Sequence, residues 1–123
     1  MPLFAVGAFT LHSGQYANFK IDCDSLTDQD ISALAAKLAE ILPPFGLVEG
    51  VPSGGLRLAA AMEKYAGGPA GRLLIVDDVL STGVSMEEQR AGREAYGAVV
   101  FCRGATWPSW VTPLFVMRGT PAP

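Results

Sequence analysis

The chain has 123 residues, half of them hydrophobic, enough to bury one core but hardly two, so a single domain over residues 1–123 is expected. Nine basic against twelve acidic residues give a formal charge of -3, without the basic excess of a protein that grips nucleic acid through its phosphates. Cys23 and Cys102 are far apart and only His12 could join them as a soft ligand, which argues against both a disulfide framework and a zinc site. No apolar run approaches the roughly 20 residues that span a bilayer, and the N-terminus lacks the basic flank and apolar core of a signal peptide. The expectation is a cytoplasmic, reducing setting with neither nucleic acid nor membrane as partner.

In chain order, FAVGAFTLHSG and NFKIDCD read as two extended segments around a Ser-Gly-Gln turn, a hairpin-like start. TDQDISALAAKLAEIL, 27–42, predicts a helix with Thr27 as N-cap, Asp28 and Asp30 in the first turn and Pro43-Pro44 as its stop. Its apolar face is Ile31, Leu34, Ala35, Leu38, Ile41 and Leu42. LVEGV, 47–51, is a short strand, Pro52 to Gly55 a turn, and LRLAAAMEKYA a helix ending at Gly67-Gly68. The order then repeats: RLLIVD as strand, DVLSTG as turn, and VSMEEQRAGREAY as a helix interrupted by Gly92. GAVVFCR is a further strand, and TPLFVM a last one, at an edge because Pro113 has no N–H for a ladder. Between them ATWPSWV is a loop whose Trp107 and Trp110 either cap the core or stack on a ligand. Strand and helix alternation predicts an α/β fold with an open, mainly parallel sheet flanked by helices.

The richest stretch is LLIVDDVLSTGVS, 73–85. In an open α/β sheet ligands collect at the C-terminal ends of strands, where turns lead into helices. A helix N-terminus offers backbone N–H groups, a glycine allows close approach, and Ser81, Thr82 and Ser85 add hydroxyl donors, which together make a phosphate cradle. Asp77 and Asp78 cannot hold phosphate, but they can accept hydrogen bonds from sugar hydroxyls or favour a hydrated Mg²⁺ nearby. The implied ligand carries a phosphate and a diol. A structural reading stands beside it, because Ser85-Met86-Glu87-Glu88 is also a capping box. Neither the Walker A pattern nor the Rossmann fingerprint occurs.

LLIVDDVLSTGVS resembles the phosphoribosyl-pyrophosphate (PRPP) motif of the type I phosphoribosyltransferases. FTLHSG, 9–14, and GVPSGGLRLA, 50–59, are similar to the first-strand and pyrophosphate-turn segments of its orotate phosphoribosyltransferase branch, in the family's order. The resemblance implies that family's fold, with a reduced hood beside the hairpin-like pair. It also implies that Asp77 and Asp78 hold the ribose hydroxyls of PRPP, that Ser81, Thr82, Gly83, Val84 and Ser85 wrap its 5-phosphate, with Val79 and Leu80 completing the motif, and that Ser53, Gly54 and Gly55 face the pyrophosphate. Backbone amides of a glycine turn suit that task. Mg²⁺ would arrive with PRPP, with no direct protein ligand.

His12 stands where the family usually has a lysine. It can donate to a phosphate when protonated, or serve a structural role at the surface. With Asp77 and Asp78 it completes the candidate catalytic set. The resemblance implies Lys20 and Arg103 as candidate base-binding cations, Arg103 in the place of the family's base-gripping arginine, where a guanidinium suits a carboxylate bidentately; Arg57 reads as a solvated surface charge. The family's mobile, lysine-bearing loop has no counterpart, because only AGGPAG, 66–71, separates Tyr65 from Arg72. The functional expectation is a PRPP-dependent phosphoribosyltransferase of pyrimidine or related nucleotide metabolism, forming a homodimer by resemblance. The alternative is a non-catalytic PRPP- or nucleotide-binding protein of the same fold.

Overall fold

A computed structural model describes residues 2–10 and 16–117, and of residues 8–10 and 16–18 the backbone only. Strands β1 (Phe4–Thr10) and β2 (Tyr16–Ile21) pair antiparallel, as the hairpin-like start predicts. The intervening Ser-Gly-Gln turn and His12 lie outside the described residues. A one-turn 3-10 helix, Cys23–Ser25, follows, capped by the Asp22 carboxylate, which accepts from the Asp24 N–H at 3.2 Å.

Helix α1 (Asp28–Ile41) starts where the sequence marks it. Thr27 Oγ1 accepts from the Asp30 N–H at 3.1 Å and Asp30 Oδ2 accepts from the Thr27 N–H at 2.8 Å, a reciprocal cap worth about 1 kcal/mol. Ile31, Ala35 and Leu38 are buried, but Ile41 is exposed; Leu42, just beyond the helix, takes the last inward position instead. Strand β3 (Leu47–Gly50) leads through residues 51–55 into α2 (Leu56–Met62), which tightens into a 3-10 turn over Glu63–Tyr65 rather than continuing as α-helix.

Strand β4 (Leu73–Leu80) runs three residues past its expected end, so Asp78, Val79 and Leu80 join Asp77 within the strand and the turn shrinks to 81–83. The reason is its partner: Asp77, Val79 and Leu80 pair with Val99, Phe101 and Cys102 of β5 (Tyr96–Arg103), and the ladder holds the extended backbone beyond the apolar run. Helix α3 (Val84–Arg90) is shorter than expected. Ala91 (φ 53) and Gly92 (φ 75) turn left-handed and end it, leaving 93–95 as a link to β5.

Strand β6 (Val111–Met117) completes a four-stranded parallel sheet of order β3-β4-β5-β6, with β6 and its Pro113 at an edge as expected. Residues 104–110 join β5 to β6 without a helix. The sheet alternates its side chains between two cores. Leu74, Val76, Ala98 and Val100 face α1 and α2, where Leu38, Leu58 and Met62 are fully covered. Leu73, Ile75 and Val99 face Met86 of α3 and Trp110 of the connection. Each fully buried Leu, Val or Met contributes about 1.5–3 kcal/mol.

Trp110 thus takes the core-capping role. Its indole N–H donates to Glu87 Oε1 at 2.8 Å, and the Arg90 guanidinium lies 4.4 Å from its ring. The other end of α3 is tied to β3: Gln89 and Arg93 donate to Glu49 at 2.7–2.8 Å and hold its carboxyl down to about 2. Both clamps fix the helix that follows the 81–83 turn.

Candidate functional site

Every parallel strand of the sheet points the same way, so the segments leaving the C-terminal ends of β3, β4 and β5 converge. There they enclose a cavity of about 990 Å³. One wall is the turn after β3, from Val51 to Gly54. A second is the end of β4 with the turn and first residues of α3, from Asp77 to Met86. The third is the stretch leaving the hairpin, from Lys20 to Asp24, together with Arg103 at the end of β5.

The two carboxylates of β4 differ in setting. Asp77 is only 7% exposed, and its Oδ1 accepts from the Asp78 N–H at 2.8 Å. Burial first, then the neighbouring Asp78 carboxylate, push its pKa well above the usual carboxylate range. Asp78 is half-buried; its Oδ1 accepts from the Val79 N–H at 2.8 Å, and the Cys23 thiol is close enough to feel its charge. Burial, then the Asp78 charge, push the Cys23 thiol up to about 12, so it stays protonated. Asp78 also packs on the neighbouring turn, since a Cβ on Gly54 would lie 2.5 Å from its Oδ2. A glycine is what lets the carboxylate and the turn approach so closely.

The turn from β4 into α3 is built on Gly83, whose φ of 88 suits glycine and which forms the N-cap of α3. No side chain caps that helix, so the capping box expected from Ser85 to Glu88 is not formed: the helix begins two residues earlier than such a box requires, placing Ser85 inside the first turn. Thr82 Oγ1 instead accepts from the Val84 N–H at 3.4 Å. Pro108 of the β5–β6 connection packs behind the turn, 3.5 Å from where a Gly83 Cβ would stand. First-turn amides and the hydroxyls of Ser81, Thr82 and Ser85 thus border the cavity, an arrangement suited to an anion.

The cavity brings together Ser53, Gly54, Asp77 to Ser85, Lys20 and Arg103. Gly55 stands apart: it is buried and its N–H donates to the Val51 carbonyl at 2.8 Å, so that amide is already used inside the turn. Arg103 borders the cavity but is engaged with the hairpin, where Nη2 donates to the Phe19 carbonyl and the guanidinium lies 3.9 Å from the Phe19 ring centroid. Burial pushes its pKa down. Arg57 is remote from the cavity, paired with Asp28 at 3.2 Å and bonded to the Leu26 carbonyl at 2.9 Å. Trp107 is 39% exposed and does not border the cavity.

Sequence reasoning missed Asp22, Cys23 and Asp24 as lining residues. A signal was present, since NFKIDCD, like LLIVDD, is an extended segment that ends in acids. Among the described residues no group of three or more His, Cys, Asp or Glu could hold a metal ion by itself, and no helix is long and apolar enough to cross a membrane. The 66–72 link between α2 and β4 is stitched to residues 45 and 46, with the Gly68 N–H on the Phe45 carbonyl at 2.9 Å and the Gly46 N–H on the Arg72 carbonyl at 3.0 Å.

No family model matches the chain, and no curated protein matches it in sequence. Solved structures do. The fold is similar to that of orotate phosphoribosyltransferase from Aeropyrum pernix, with a TM-score of 0.74 and 22% identity over 94% of this chain and 88% of that one. Leishmania donovani UMP synthase is similar at a TM-score of 0.69 and 19% identity, over 94% of this chain but 34% of the larger protein. Orotate phosphoribosyltransferase from Mycobacterium tuberculosis is similar at a TM-score of 0.66 and 18% identity, over 93% and 89%. The architecture is that of the type I phosphoribosyltransferases.

Proposed function

We propose that the cavity binds PRPP and that the protein transfers ribose 5-phosphate from it to the nitrogen of a base, releasing pyrophosphate. The observation that carries this reading is the convergence of two carboxylates, a hydroxyl-rich helix start and a second glycine turn on one cavity. That set matches a ligand with a diol and two separate phosphate groups. Asp77 and Asp78 accept from the ribose hydroxyls, residues 81–85 surround the 5-phosphate, and Ser53 and Gly54 meet the pyrophosphate.

The chain's contribution to the reaction is positional. Held at both ends, the ribose presents C1 to the base nitrogen as the bond to pyrophosphate loosens, and no covalent protein nucleophile is required. In this reading Mg²⁺ arrives hydrated on the pyrophosphate, and Asp77 and Asp78 at the cavity can accept hydrogen bonds from its water shell. Bound in that way, Mg²⁺ would neutralise charge developing on the leaving group.

One observation favours a second reading, PRPP or nucleotide binding without turnover. The 66–72 link is short and bonded to residues 45 and 46, so it cannot fold over the cavity to exclude water. Calorimetric titration with PRPP, with and without Mg²⁺, followed by an assay of pyrophosphate release with added bases, separates these cases. Micromolar binding with turnover supports the transferase, and binding without turnover supports the second reading. No binding of PRPP refutes both. The proposed homodimer is tested separately by sedimentation.

A further inference from the structure

The wall of the cavity left for a base carries an unexpected charge. With the 5-phosphate at 81–85, the ribose at Asp77 and Asp78 and the pyrophosphate at Ser53 and Gly54, the remaining wall among the described residues is Lys20 to Asp24 with Arg103. Both Asp22 and Asp24 stand on it. Of its two described cations, Lys20 is exposed, and Arg103 has Nη2 bonded to the Phe19 carbonyl and a face against the Phe19 ring. Bidentate capture of a carboxylate needs two parallel donors from one guanidinium, and part of this one is already taken.

We infer that the base accepted here carries no carboxylate and presents exocyclic N–H donors, as an amino-substituted pyrimidine or purine does, with Asp22 and Asp24 setting that preference. The inference rests on the reading of the cavity as a PRPP site. Ionised carboxylates only accept hydrogen bonds, and each oxygen has more than one lone pair. Asp22 therefore keeps a further lone pair on each oxygen while Oδ1 accepts from the Asp24 N–H at 3.2 Å and Oδ2 from the Ser25 hydroxyl at 3.5 Å. An amino group on the base supplies the matching donor. A carboxylate on the base adds a like charge to a cavity already bordered by Asp22, Asp24 and Asp78. A like charge at about 6 Å in a partly solvated site weakens binding by about tenfold.

Three ligands probe the effect: uridine 5-monophosphate, orotidine 5-monophosphate, which adds only the carboxylate, and cytidine 5-monophosphate, which replaces the 4-carbonyl by an amino group and turns the ring N3–H into an acceptor. Each is titrated calorimetrically, with PRPP and ribose 5-phosphate as references. The orotidine compound is expected to bind about tenfold more weakly than the uridine compound and the cytidine compound more tightly. Asp22→Asn with Asp24→Asn keeps the capping acceptor and should shrink both differences to within about threefold. Asp24→Asn alone, at an exposed position, should give a partial effect and guards against loss of folding. Equal or tighter binding of the orotidine compound while PRPP still binds overturns the base assignment and leaves the PRPP site standing. A difference that persists unchanged in the double variant overturns the role of Asp22 and Asp24. Failure of PRPP and all monophosphates to bind overturns the site itself.

Discussion

Gly54→Ala tests the contact between the two walls of the cavity. The added Cβ would lie 2.5 Å from Asp78 Oδ2 and 2.8 Å from both Cγ and Oδ1, against 3.4–4 Å for ordinary contact. Something must move by roughly 1 Å, an overlap that steep repulsion does not absorb. Asp78 can swing away only by giving up the Val79 N–H at 2.8 Å. The turn can retreat only by straining the Gly55 N–H bond to the Val51 carbonyl at 2.8 Å. Either route costs about 1–3 kcal/mol. For a chain of this size the melting temperature should fall by about 4–12 °C. PRPP affinity should fall about tenfold or more, because Asp78 leaves the position proposed for the ribose. Gly71→Ala is the control, since nothing lies within 4 Å of its Cβ position. The two variants are compared by thermal melting and by calorimetry. Identical melting and identical PRPP titration would refute the argued contact.

Asp77→Asn should separate stability from binding. Because folding raises the pKa of Asp77, this residue's contribution to stability is fully present below the ordinary carboxylate pKa and is lost as pH rises through the elevated folded value. The Asn variant should therefore melt higher than the parent at pH 8 and lose that advantage near pH 4, while its PRPP affinity falls; a lower melting point at pH 8 would contradict the burial argument. Gly83→Val should destabilise by about 1–3 kcal/mol, measured by denaturant unfolding. The Pro108 ring leaves room at 3.5 Å, so the cost lies in a β-branched residue at φ 88. Cys23 and Cys102 both have thiol pKa values raised by burial and should react with a thiol reagent at pH 8 at least about a hundredfold faster once unfolded. Rapid reaction of both in the folded protein would count against the packing around Asp78 and in the sheet.

What the sequence reveals is what local chemistry decides. Thr27, the acids after it and Pro43 mark α1 because capping and chain stiffness act within a few residues. Asp77, Asp78 and the hydroxyl-glycine turn stand out because a phosphate-type turn has a local composition. The parts that stay hidden depend on partners far along the chain. Strand β4 extends to Leu80 only because β5 pairs with it, and Asp22 and Asp24 join the cavity only because the hairpin folds against the sheet. Arg103 shows the same limit: its type suggests an anion clamp, whereas its engagement with Phe19, 84 residues away, is a tertiary fact.

The helix-free connection between β5 and β6 bears on the order in which the sheet assembles. Gly97 pairs with Val111, fourteen residues on, while Leu74 pairs with Tyr96 at twenty-two and Leu47 with Leu73 at twenty-six. Loop-closure entropy rises with the length of chain enclosed, and strand pairs joined by short links are favoured to nucleate. Folding should then begin at the β6 edge and spread across the sheet toward β3. The turn after β3 would be the last wall set in place, so the cavity closes only when the sheet is complete.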